Sequence, residues 1–136
     1  MPIGEPLSTL LKQIDALDNW CLWRILHIHW TDFVSNEEVR PRTGQPFLSN
    51  TTRGRRLSFF GHLSHADPSQ DQSRALQSCI LGPPRDWHRR VGRPRQSWLR
   101  TVEDDLRPVN FGLATARWCT LDRSPWRLLV DTAAAT

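Results

Sequence analysis

The densest chemistry in this sequence is cationic. Between Arg85 and Arg100 the chain carries Arg85, Arg89, Arg90, Arg93, Arg95 and Arg100 against Asp86 alone, and Arg53, Arg55 and Arg56 form a second knot upstream. Guanidinium forks bind phosphate oxygens in pairs and stack on bases. The pattern is therefore read as a polyanion surface, with RNA or DNA held through its phosphates by Arg53, Arg55, Arg56, Arg85, Arg89, Arg90, Arg93 and Arg95. Such binding weakens steeply with salt, because each neutralised phosphate releases counterions. Trp87, between Asp86 and His88, is the indole best placed to stack on an unpaired base. Trp20, Trp98 and Trp126 fall on apolar stripes and are expected in the core. The plain alternative for the whole segment is a solvated basic loop.

Carboxylates and imidazoles offer less. Glu103-Asp104-Asp105 has the composition of a metal cluster. Adjacent helical positions point about 100° apart, so the three diverge and read as a solvated acidic helix face. His62 and His65 are three apart and share a helix face, and Cys79 and His88 bring the number to four. That spacing matches no standard zinc pattern, and proline-rich turns intervene, so satisfied or exposed imidazoles are expected. His27 and His29, two apart, diverge on a helix. There is no GxSxG nucleophile elbow and no glycine-rich phosphate loop. The expectation is a non-enzyme with no catalytic residue, no cofactor and no metal. Gly92-Arg93-Pro94 matches the extended core with which AT-hooks enter a narrow minor groove, with Val91 where a basic residue would precede it. The other reading is a turn in which Pro94 starts a helix.

Charge placement supports the cationic reading. The 136 residues carry a net charge of +4, distributed as −2 over 1–52, +7 over 53–100 and −1 over 101–136. Of 18 basic residues only Lys12 is lysine. Arginine bias fits phosphate recognition, and it equally fits GC-rich coding. Cys21, Cys79 and Cys119 lie far apart and form no CxxC pair, which predicts free thiols in a reducing, intracellular setting, nucleus or cytoplasm. No stretch approaches the twenty or so apolar residues a bilayer requires, so no membrane partner is expected. The start MPIGEPLSTLL has no basic region before Glu5, which predicts no secretory signal.

The elements that must position these groups read as helical. Leu7, Leu10, Leu11, Ile14, Leu17, Cys21, Ile25 and Ile28 recur at steps of three and four, with Leu22 and Leu26 widening the stripe, which predicts a helix over about 7–30 buried on more than one side. Ser35 to Glu38 is a capping box for a short helix 36–40, ending or bending at Pro41. A helix over 50–64, capped by Ser49 or Asn50, directs Leu57, Phe60 and Leu63 inward, and Gly61 permits close packing of a neighbour. A short helix 73–80 capped by Ser73 follows, then a basic linker 81–93, a helix 94–106, and C-terminal helices 113–119 and 125–132 with a fraying tail. No segment alternates as a strand does. The expected architecture is all-α: one helical module over 1–136, a small irregular bundle of about five to six helices with proline-rich connections.

Four blocks, taken in order, resemble one family: LDNWCLWRILHIHWTDFVSNEEVRPRTGQP, RRLSFFGHLSHAD, GRPRQSWLRTVEDDLRP and LATARWCTLDRSPWRLLV. Together they are similar to the C-terminal region of the endonuclease–reverse transcriptase polyproteins of animal non-LTR retrotransposons, over roughly Asp15 to Asp131. The matching positions are Arg55, Arg56, Gly61 and His62, then Gly92, Arg93, Pro94 and Trp98, then Asp122, Arg123, Trp126 and Arg127. Trp23 and Leu99 stand where a basic residue is usual, and His65 where arginine is common. The chain has no tyrosine, hence no Tyr-x-Asp-Asp polymerase signature. The resemblance implies a truncated or domesticated C-terminal module that lacks the endonuclease and polymerase parts and helps hold template RNA or target DNA. The alternative is a non-functional structural or interaction remnant whose Leu7 to Trp30 helix, made to pack on a polymerase core, would self-associate in its absence.

Overall fold

The computed structural model describes residues 5–82, 84–88, 91–92 and 97–135, with side chains from Ser8 onward. Among them are seven α-helices and no strand: α1 (Glu5–Ile25), α2 (Asn36–Thr43), α3 (Leu48–His65), α4 (Asp71–Leu81), α5 (Trp98–Leu106), α6 (Leu113–Cys119) and α7 (Arg123–Ala135). The count is slightly above the expected five to six. Contacts divide the chain into two compact units, 1–52 and 53–136, where the sequence reading expects one module. The division falls inside α3, between Thr52 and Arg53.

In the first unit, α1 stops well short of Trp30. His27 adopts a left-handed backbone (φ 54°), its amide donates to the Arg24 carbonyl, and the Ile28 amide donates to the Trp23 carbonyl. That pair of bonds is a Schellman motif, which closes a helix by satisfying its last carbonyls. A 3-10 turn, Trp30–Asp32, follows and is boxed by Asp32, whose carboxylate accepts the His29 amide at 2.8 Å. α2 starts on the anticipated box: Glu38 N donates to Ser35 Oγ, and Ser35 N to Glu38 Oε2 at 3.0 Å. It does not end at Pro41. It runs to Thr43, where the hydroxyl donates to the Val39 and Arg40 carbonyls and left-handed Gly44 caps the end.

The first unit closes on a cation. Arg40 is about 90% buried, with a side-chain exposure of 10%. Its Nη1 donates to Asp18 Oδ2 at 2.6 Å and to the Pro46 carbonyl at 2.9 Å, and its Nη2 to Asn19 Oδ1. The guanidinium lies 4.6 Å from the Phe47 ring centroid, a cation–π contact. Beside it, Asp15 on α1 accepts the Ser49 amide (2.9 Å) and hydroxyl (2.7 Å). α3 therefore begins one residue earlier than Ser49, its first-turn amide satisfied by a carboxylate from another helix rather than by a local cap. Among the described residues of the α1 stripe, only Leu22 is buried. Leu10, Leu17, Trp20 and Ile25 are exposed, Trp20 by 59%, against the expectation of a helix covered on more than one side.

The second unit holds a continuous core: Leu57, Phe60, Leu76, Val102, Leu106, Ala116, Trp126, Val130 and Ala133. α4 starts at Asp71, so Ser73 lies buried in the first turn instead of capping it. The turn before it is held by Asp67, whose carboxylate accepts the Ser69 hydroxyl (2.7 Å) and amide (2.8 Å); these bonds, the hydroxyl first, hold the carboxyl below its ordinary range. α5 starts at Trp98 because Ser97 is extended and its hydroxyl accepts the Arg100 amide; the expected start at Pro94 lies outside the described residues. Asp122 starts α7, its carboxylate accepting the Ser124 amide at 3.0 Å and its carbonyl the Trp126 amide. α7 reaches Ala135 rather than fraying after 132, since Ala133 is buried and its carbonyl accepts from Arg53 Nη1 at 3.1 Å.

α3 and α7 run antiparallel. A Cβ on Gly54 would meet Ala134 Cβ at 3.4 Å, and one on Gly61 would meet Trp126 Nε1 at 2.3 Å. Gly61 thus admits the indole, as the sequence suggests. Trp126 is 6% exposed and its Nε1 has no hydrogen-bond partner among the described residues, so packing alone holds the ring there.

Candidate nucleic-acid interface

Of the nine residues expected to hold nucleic acid, the five described ones, Arg53, Arg55, Arg56, Arg85 and Trp87, do not all face solvent. Arg56 grips Asp105 with both arms, Nε to Oδ2 at 2.7 Å and Nη2 to Oδ1 at 2.9 Å. Arg53 Nε stands 3.6 Å from the same carboxylate. Asp105 is 4% exposed, so this is a buried anion between two cations. A carboxylate removed from water needs such charge-assisted bonds. Arg53 and Arg56 are therefore corrected from phosphate ligands to supports of the second unit's core. Asp105 is likewise corrected from a solvated helix face to a buried tie. Asp104 points elsewhere and pairs with Arg107 at 3.0 Å on the surface.

Arg55, Arg85 and Trp87 are exposed, Trp87 by 56%. Arg89, Arg90, Arg93 and Arg95 lie outside the described residues. Trp87 lines an open cleft of about 1250 Å³, with an apolar side of Leu63, Leu76, Cys79, Trp98 and Leu99 and a polar side that includes Ser97, Arg100, Glu103 and Arg107. Trp98 is half-buried there, edge-on to Phe59 at 5.6 Å between ring centroids. The arrangement offers a flat indole, an apolar wall and guanidinium groups on one rim. A base can stack while its phosphate meets a cation.

Sequence reasoning missed Arg100 and Arg107 as members of this cleft. Their signal is spacing: positions 100, 103 and 107 share one helical face, so Arg100 and Arg107 follow Trp87 rather than the core. It also overestimated Trp20, which is exposed, whereas Trp126 is buried and Trp98 half-buried. His62 and His65 line a second cleft, with Arg123 and Arg127, while Cys79 lines the tryptophan cleft. The geometry thus separates groups that the sequence could combine into a zinc set. Cys21, Cys79 and Cys119 are free. No described helix is long and apolar enough to cross a membrane. No family model, curated protein or solved structure matches the chain.

Proposed function

We propose that this chain is a non-catalytic nucleic-acid-binding module of the kind found at the C-terminal end of non-LTR retrotransposon reverse transcriptases. It holds single-stranded RNA or DNA by stacking a base on Trp87 and meeting phosphates with Arg85, Arg100 and the arginines that follow Trp87. The observation that carries the reading is the exposed indole on the wall of an apolar cleft with Arg100 and Arg107 beside it. An indole in such a place is open to the π-face of any base, whereas a core indole is not. The free cysteines suit a reducing compartment, nucleus or cytoplasm.

Titration of labelled oligo-U and oligo-dT tests this. Trp87→Ala should weaken binding by about 1–3 kcal/mol. Affinity should fall by at least tenfold from about 50 to about 200 mM salt, as it does when several phosphates are neutralised. Absence of binding at the lower salt sinks the reading.

A second reading has its own observation. Leu10, Leu17, Trp20 and Ile25 leave an apolar face of α1 open to solvent. A structural element made to pack against a larger protein would show this, and would self-associate alone. Light scattering at two salt concentrations separates the two readings: self-association that ignores salt favours the second.

A further inference from the structure

The cleft between α3 and α7 is built differently from the tryptophan cleft. It is about 460 Å³ and is lined by His62 and His65 from α3 and by Arg123 and Arg127 from α7. Residues three and four apart on a helix share a face, so each helix presents a pair. Trp126 seated against Gly61 sets how closely the helices approach, and each of these residues is followed in sequence by one of the four, Arg127 and His62. The floor is Trp126 and Val130, both buried.

Two of these groups are permanently cationic and two are able to become so. Among the described residues none of the four pairs with a carboxylate, in contrast to Arg53 and Arg56. Asp131 also lines the cleft, one anion against two guanidinium groups, and Ser58 adds a hydroxyl. One carboxylate compensates two guanidinium groups only in part, and a bound anion relieves the repulsion that remains.

We propose that this cleft is a binding site for a phosphate monoester, the terminal phosphate of a nucleotide or of a nucleic-acid strand. Arg123 and Arg127 bind its oxygens and His62 and His65 donate further hydrogen bonds. The polar groups of this surface cleft are exposed and within reach of a chain end, and a monoester carries the second negative charge that two guanidinium groups can match. The site shares no residue with the tryptophan cleft and stands or falls separately from it.

The test compares a short oligonucleotide bearing a 5′-phosphate with the same strand bearing a 5′-hydroxyl, alongside uridine monophosphate and uridine. The phosphorylated strand should bind about tenfold more tightly, equivalent to about 1.4 kcal/mol. Uridine monophosphate should shift the imidazole C–H resonances of His62 and His65, and uridine should leave them unmoved. Arg123→Gln with Arg127→Gln should bring the ratio between the two strands to about one. Both arginines are exposed, and an unchanged circular dichroism melt confirms that the doubly substituted chain is folded. Trp87→Ala should weaken both strands and leave the ratio intact, which separates this site from the proposed stacking cleft. Equal binding of the two strands by the unaltered chain, or unmoved His62 and His65 resonances with uridine monophosphate, overturns the proposal.

Discussion

Both units of this chain close on an arginine bound to a carboxylate, yet the two ties are inverted. In the first unit the buried member is the cation: Arg40 gathers Asp18, Asn19 and a backbone carbonyl around itself, under the Phe47 ring. In the second it is the anion: Asp105 gathers Arg56 and Arg53. Their surroundings differ as well. Leu22 and Val39 are the buried hydrophobic side chains of the first unit among the described residues, whereas Asp105 sits beside a continuous apolar core. A polar cluster without a core around it must hold the local fold largely by its own bonds. A polar cluster at the edge of a core orients helices that already bury apolar area. The same residue type thus acts as a centrepiece in one place and as a tether in the other.

Replacing Asp105 by alanine should have the largest effect. It leaves Arg56 and Arg53 desolvated without their counter-ion, and loss of one partner of a buried pair costs about 3–5 kcal/mol. Urea unfolding should register that loss. Hydrogen exchange should place it in residues 53–135, and a loss spread evenly over the chain would merge the two units into one cooperative block. Arg40→Met comes next. Asp18 is partly exposed and recovers water, so the expected loss is about 2 kcal/mol, confined to exchange in α1 and α2. An effect on α2 smaller than that of an ordinary surface substitution would show that Arg40 is no centrepiece. The glycines of α3 give effects of comparable size or smaller. Gly61→Ala should cost about 1–3 kcal/mol by overpacking against Trp126, more than the helix propensity gained. Gly54→Ala, whose Cβ meets Ala134 at an ordinary contact distance, should gain up to about 1 kcal/mol. Equal melting temperatures for the two variants would remove the packing argument.

How much of this was legible depends on the range of the interaction. The capping box at Ser35, the inward Leu57 and Phe60, and the close approach at Gly61 are written in local spacing, and the helices carry them. The end of α1 is not, because its left-handed residue is His27 and no glycine announces it. Nor is the run of α2 through Pro41, which rests on the hydroxyl of Thr43 and the turn at Gly44. The fates of Arg53 and Arg56 were the least readable. They depend on Asp105, 49 residues beyond Arg56, and a charge tally over 53–100 counts both as available to phosphate. Arg55, one position away, faces solvent. Helical phase, not local charge density, decides which guanidinium a phosphate can meet.

Gly61 and Trp126 also settle where α7 stops along its neighbour. The notch left by a missing side chain occurs once at that end of α3, and one turn earlier or later the position carries the side chain of Leu57 or His65. The wide ring therefore behaves as a key with a single keyway. Shape thus disfavours misregistered pairings of these two helices independently of any hydrogen bond or charge.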